Sequence, residues 1–170
     1  MLKKLVLLVS IMFAVGTVSA VPVGSPTGET DPAKFVRLTR ALEANPMQDT
    51  TKEMRTWLIN WATESPDVSV KICLGFDLLP TKDEPFDGIF LTQSLFGNAA
   101  FQIEHPHKKT DQLAQQVAGI ESVLKSYSAL KITHPDKQFP MLDMLLQRQR
   151  SGELAAFLAP VVTKKCSDAP

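Results

Sequence analysis

The chain has 170 residues, 44% of them hydrophobic, with 18 Lys or Arg against 18 Asp or Glu, which suffices for one domain with a proper core. Near-zero net charge and no Lys/Arg run longer than two residues argue against nucleic acid as a partner. At the start, Lys3 and Lys4 precede an apolar run over 5–18, and Val18-Ser19-Ala20 puts small residues where a signal peptidase cuts. Residues 1–20 therefore read as a signal peptide, with a retained anchor helix as the structural alternative. Its removal leaves 150 residues carrying 16 basic and 18 acidic side chains, with a periplasmic or extracellular location and no membrane span in the remainder.

Export also decides how the only two cysteines, Cys73 and Cys166, are read. An oxidising compartment favours a disulfide between them, two buried free thiols being the alternative. Pro22, Gly24, Pro26 and Gly28 break residues 21–30 without apolar periodicity, so this stretch is expected to be a flexible leader. Residues 31–170 are expected to form a single all-α domain.

Asp31-Pro32 is a cap and first-turn pair for a first helix with Phe35, Leu38 and Leu42 on one face, stopped by Asn45-Pro46. Thr50 and Glu53 have capping-box spacing ahead of a second helix, whose Met54, Trp57, Leu58 and Trp61 form a core stripe. Residues 68–78 are ambiguous. Val68, Val70, Ile72, Leu74, Phe76 and Leu78 alternate as a strand would, but Val68, Ile72, Gly75, Phe76 and Leu79 also fall on one helical face, Ser65-Pro66-Asp67 is a helix start and no second strand offers a pairing partner, so a helix is predicted.

Residues 86–104 are the most apolar stretch, hydrophobic all round, and predict a central helix that the others cover. Asp87, Gln93, Asn98 and Gln102 interrupt it too often for a membrane span. Gln93 and Asn98 read as hydrogen-bonded core polars, and Gln93, Gly97 and Ala100 as the contact where a neighbouring helix comes close. Thr110-Asp111 open the longest amphipathic helix, running nearly to Ile132. Pro140 starts another with Leu142, Leu145 and Leu146, and Ser151-Gly152 separates it from a last helix that Pro160 kinks or ends. The expectation is about seven antiparallel helices around the one at 86–104.

Two segments 29 residues apart, AFQIEHPHK from Ala100 and ALKITHPDK from Ala129, share Ala, Ile, His, Pro and Lys at matching places. His105 and His134 each precede a proline and so are natural helix terminators. Tyr127, Ala129-Leu130, Pro135 and Gly152-Glu153-Leu154 resemble the end of one tetratricopeptide-type helical repeat and the loop of the next. This resemblance covers 127–154 and implies helical hairpins serving as a scaffold for peptides or proteins; the first-helix Trp, Leu-Gly and small-residue positions are occupied instead by Met141, Met144-Leu145 and Phe157.

Glu104, His105, His107 and Asp111 lie within eight residues, and His134 and Asp136 repeat part of that set, making the three histidines the metal-ligand candidates. Pro106 holds His105 and His107 in a turn, however, and no His pair stands at i,i+4 spacing. The chain has no nucleophile elbow, phosphate loop, dinucleotide fingerprint or haem-attachment motif, so no cofactor is expected. The function expected is a non-catalytic protein- or peptide-binding helper module of the cell envelope, with Met141, Met144 and Leu145 as the flexible apolar surface. The alternative is an all-α enzyme or metal-binding protein using Glu104, His105, His107 and Asp111.

Overall fold

In the computed structural model, residues 24, 26–74, 78–80, 86 and 88–167 are described. The expected signal peptide at 1–20, residues 21–23 and 25 of the expected leader, and residues 75–77 of the ambiguous segment lie outside them. Regular structure among the described residues is entirely helical: α1 (Asp31–Ala44), α2 (Thr51–Glu64), α3 (Ile89–Glu104), α4 (Gln112–Thr133), α5 (Pro140–Arg150) and α6 (Leu154–Ser167), with a 3-10 turn at Pro106–Lys108.

Helix starts differ from the sequence patterns in small, explicable ways. At α1 the cap is Thr30, and Asp31-Pro32 form the first turn. The capping box of α2 does not form: Thr50 has φ −83° and ψ 1°, because a turn from Gln48 leads straight into the helix, whereas a capping side chain needs an extended backbone. Gly88, at φ 74°, opens α3 at Ile89 and leaves Phe86 buried just ahead of it. Ahead of α1, Arg37 makes a two-pronged ion pair with Glu29 (2.8 and 2.9 Å) and donates to the Gly24 carbonyl, holding the end of the leader.

Helix ends follow one device twice. His105 and His134 take nearly identical backbone angles (φ −131°, ψ 66° and φ −132°, ψ 69°). Each donates its N–H to the carbonyl four residues back at 2.8 Å. Each carbonyl then accepts from a lysine N–H three residues on, so the repeated His-Pro segments are one local fold used at two helix termini.

Residues 68–74 are not helical, which corrects the expectation of a helix starting at Val68. The Gln102 side chain accepts from the Ser69 N–H (3.1 Å) and donates to the Ser69 carbonyl (3.0 Å), while Gln116 donates to the Lys71 carbonyl (3.0 Å). Side-chain amides thus supply the partner that a lone strand otherwise lacks. This strap ends at Cys73, which lies at disulfide-bonding distance from Cys166 with Cα atoms 5.2 Å apart. The bridge holds the end of α6, which does not stop at Pro160 but continues to Ser167. Pro160 forfeits a single backbone bond, and Leu158 and Val162 stay buried on either side of it.

α3 contributes side chains to two apolar cores. One gathers Phe90, Ile120, Tyr127, Leu142 and Leu158; the other gathers Phe35, Leu42, Met54, Leu58 and Phe96. Full burial of each such side chain contributes about 1.5–3 kcal/mol. α3 and α4 run antiparallel at very close range. A Cβ on Gly97 would overlap the Ser122 Cβ and lie 3.0 Å from the Ala118 carbonyl, and one on Gly119 would lie 2.7 Å from the Ser94 carbonyl. Beside this contact Gln93 donates to the Ser122 hydroxyl (2.8 Å), which donates to the buried Glu43 carboxylate (2.7 Å). Arg40 and Lys125 (3.3 Å) pair with the same carboxylate, satisfying a charge that would otherwise be costly inside the protein.

Candidate functional site

Met54 and Leu58 turn α2 into the core, so Ile59, Ala62 and Thr63 fall on its flank, facing the strap. Val70 and Ile72 of the strap form the opposite wall, and Leu95 and Phe96 of α3 the floor, of a groove of about 250 Å³. Ile59 is 43% and Ile72 46% exposed, so two large aliphatic side chains stand at its rims. Thr63 donates its hydroxyl to the Ile59 carbonyl (2.8 Å), which leaves the wall it contributes effectively apolar. With no ionisable side chain in the lining, this groove can hold an apolar side chain and carries no acid or base.

The strap gives the groove a polar margin of a different kind. One amide can bond both the N–H and the C=O of Ser69 only if these point the same way, as in an extended backbone and not in a helix. Successive extended residues direct their N–H and C=O groups to opposite edges, so Ser69 and Lys71 face the Gln102 and Gln116 amides while Val70 and Ile72 face away. The backbone groups of Val70 and Ile72 make no hydrogen bond among the described residues.

Electrostatically, the notable group nearby is Arg55, one turn before Ile59. Its Nη2 donates to the Pro46 carbonyl (2.8 Å), while among the described residues its Nε is buried without a partner and no carboxylate pairs with it. Burial lowers its pKa to about 10. Further along α2, Trp57 and Trp61 stack (6.3 Å between centroids) half-buried against the core, with the Lys34 ammonium 4.1 Å above the Trp57 ring.

The residues singled out from sequence fall elsewhere. Cys73 and Cys166 are brought together. Glu104 pairs with Arg40 (2.7 Å), and Asp111 caps α4 by accepting from the Ala114 N–H (3.0 Å). His105 stacks on Phe101 at 4.5 Å with His107 edge-on to it at 6.2 Å. His134 packs edge-on to Phe86 at the far end of α4, a helix about 33 Å long. Among the described residues no three His, Cys, Asp or Glu side chains gather to hold a metal. The surface expected at Met141, Met144 and Leu145 needs correction. Leu145 is fully buried in the core and Met144 half-buried against it, because α5 turns this face toward α4; only Met141 is exposed.

Ile59, Ile72, Gln102 and Gln116, which build the groove and its margin, were not foreseen; the alternation over 68–78 was the one available signal. No described helix is long and apolar enough to cross a membrane. No protein-family model matches the chain, and neither a curated protein nor a solved structure is significantly similar to it.

Proposed function

We propose that this chain is an exported, non-catalytic helical domain that binds a protein or peptide as a helper module of the cell envelope. In this reading α3 is the packing centre and residues 127–154 form a tetratricopeptide-type hairpin. The observation that carries it is the apolar groove between α2 and the strap, with Ile59 and Ile72 at its rims. A domain that leaves no leucine or phenylalanine exposed among the described residues, yet keeps a lined apolar concavity at the surface, has the character of an interaction site. The cysteine pair supports the exported location.

The test is selection of displayed peptides against residues 21–170, followed by binding measurements on Ile59→Lys. Peptides that bind the parent protein and lose at least about tenfold in affinity for the variant support the reading. The variant must retain its thermal midpoint and near-UV dichroism. Failure to select any peptide, or peptides that bind the variant equally well, overturns it.

A further inference from the structure

This inference deepens the binding reading and rests on it. We infer that the occupant is an extended peptide segment that adds as a strand to the outer edge of the strap, bonding the backbone of Val70 and Ile72. It sets apolar side chains toward the groove and an acidic one beside Lys71.

The inner edge is already taken by Gln102 and Gln116, so any new backbone partner must come to the outer edge. That edge offers two N–H and two C=O groups from alternate residues, the spacing that an extended chain matches along its own edge. A helix laid in the groove has its own N–H and C=O groups satisfied internally and leaves those of the strap unmet, which makes it the poorer complement.

Side chains narrow the sequence of the occupant. Val70 and Ile72 line the groove on one face of the strap, and Lys71, between them, projects to the other. Residues directly opposite one another on paired strands share a face, so the segment opposing 70–72 is read as apolar, acidic, apolar. Lys71 is exposed and pairs with no acid among the described residues, so its ammonium is available to a carboxylate. A second copy of this chain pairing antiparallel through the same edge would bring two Lys71 side chains together, and like charges facing each other disfavour that occupant.

The experiment uses synthetic decapeptides alternating Val or Ile with Glu, in both registers, and residues 21–170 with the cysteine pair oxidised. N-methylation is scanned along the peptide backbone, a change that cannot unfold the protein. Methylating the amides that face the strap is expected to weaken binding about tenfold each, and methylating the intervening amides to leave it unchanged, the cost expected of one lost hydrogen bond. Lys71→Glu should weaken the Glu peptides and favour Lys-containing counterparts. Val70 and Ile72 amides should become protected from hydrogen exchange on binding.

No binding by any peptide of the series, a methylation effect with no alternation, or a concentration-dependent dimer through this edge overturns the inference. If selected peptides still depend on Ile59 while the methylation pattern is flat, the groove reading survives and strand addition falls. An alternating pattern that persists in Ile59→Lys leaves strand addition standing and removes the groove from it.

Discussion

Gly97→Ala probes the closest packing in the fold. In an ordinary helix interior the change is stabilising by about 1 kcal/mol. Here the new Cβ would overlap the Ser122 Cβ and lie 2.9 Å from its Oγ and 3.0 Å from the Ala118 carbonyl, so α3 and α4 must separate or the helix must shift. Overpacking of this kind costs about 1–3 kcal/mol, and the upper end applies because a backbone carbonyl cannot yield as a side chain would. The shift also strains the Gln93–Ser122–Glu43 hydrogen bonds. After subtracting the propensity gain, the net expectation is a loss of about 2 kcal/mol, or about 4–8 °C in Tm for a domain of this size.

Urea unfolding followed through Trp57 and Trp61 fluorescence measures the loss, and Ser122→Gly completes a double-mutant cycle. Removing the Ser122 side chain leaves only the carbonyl contact, so the double variant should be at least about 1 kcal/mol more stable than the two single effects predict. Gly119→Ala meets a backbone oxygen, that of Ser94, and no side-chain truncation should rescue it. A Gly97→Ala protein stabilised by about 1 kcal/mol, or additivity within about 0.5 kcal/mol, would refute the close approach.

Four further expectations concern three single side chains and one cross-link. Arg55 is held half-buried with its pKa lowered to about 10; its charge therefore opposes folding below that pH, and this cost is relieved as pH rises from 10 toward 12.5. Arg55→Met should accordingly be neutral or stabilising by about 1 kcal/mol at pH 7, after discount for the part of the group that water reaches; a clear destabilisation counts against an unpaired charge. Tyr127→Phe should cost about 1–3 kcal/mol, because its hydroxyl donates to Asp143 (3.0 Å) and accepts from the buried Phe139 N–H (3.2 Å). Lys131, then Tyr127, hold the Asp143 carboxyl below its ordinary 3.8, so its contribution is complete above that pH and is lost as acid protonates it in the folded state; in Asp143→Asn this acid-side fall should be absent from a pH titration of stability. Cys73 and Cys166 are 93 residues apart in sequence, for which loop closure gives about 4.6 kcal/mol of stabilisation; urea midpoints with and without reductant, beside the mass after alkylation, measure it, and two freely alkylated thiols in the unreduced protein exclude the bond.

Most of the helices were legible because their information is local. Phe35, Leu38 and Leu42, or Leu142 and Leu145, announce a buried face by spacing alone, and His-Pro announces a helix end. Gly97 was legible as a close approach because a mid-helix glycine is costly without one. The strap was misread for a reason that spacing cannot cure. Its alternation was real, but the groups that satisfy its backbone are Gln102 and Gln116, 33 and 45 residues away, and nothing in a local window says that an amide on a helix will serve as a strand partner. The groove shared that obscurity, since Ile59 and Ile72 become its rims only when α2 and the strap are placed across α3. Leu145 and Met141 share one amphipathic helix, and only the packing of α5 against α4 separates the buried residue from the exposed one.

Hydrogen exchange across residues 21–170, with and without a peptide obtained by selection, tests the binding account most directly. The account predicts protection confined to the strap and to the 59–63 flank of α2. Protection at Met141 or over 104–111, with the strap unchanged, would contradict it.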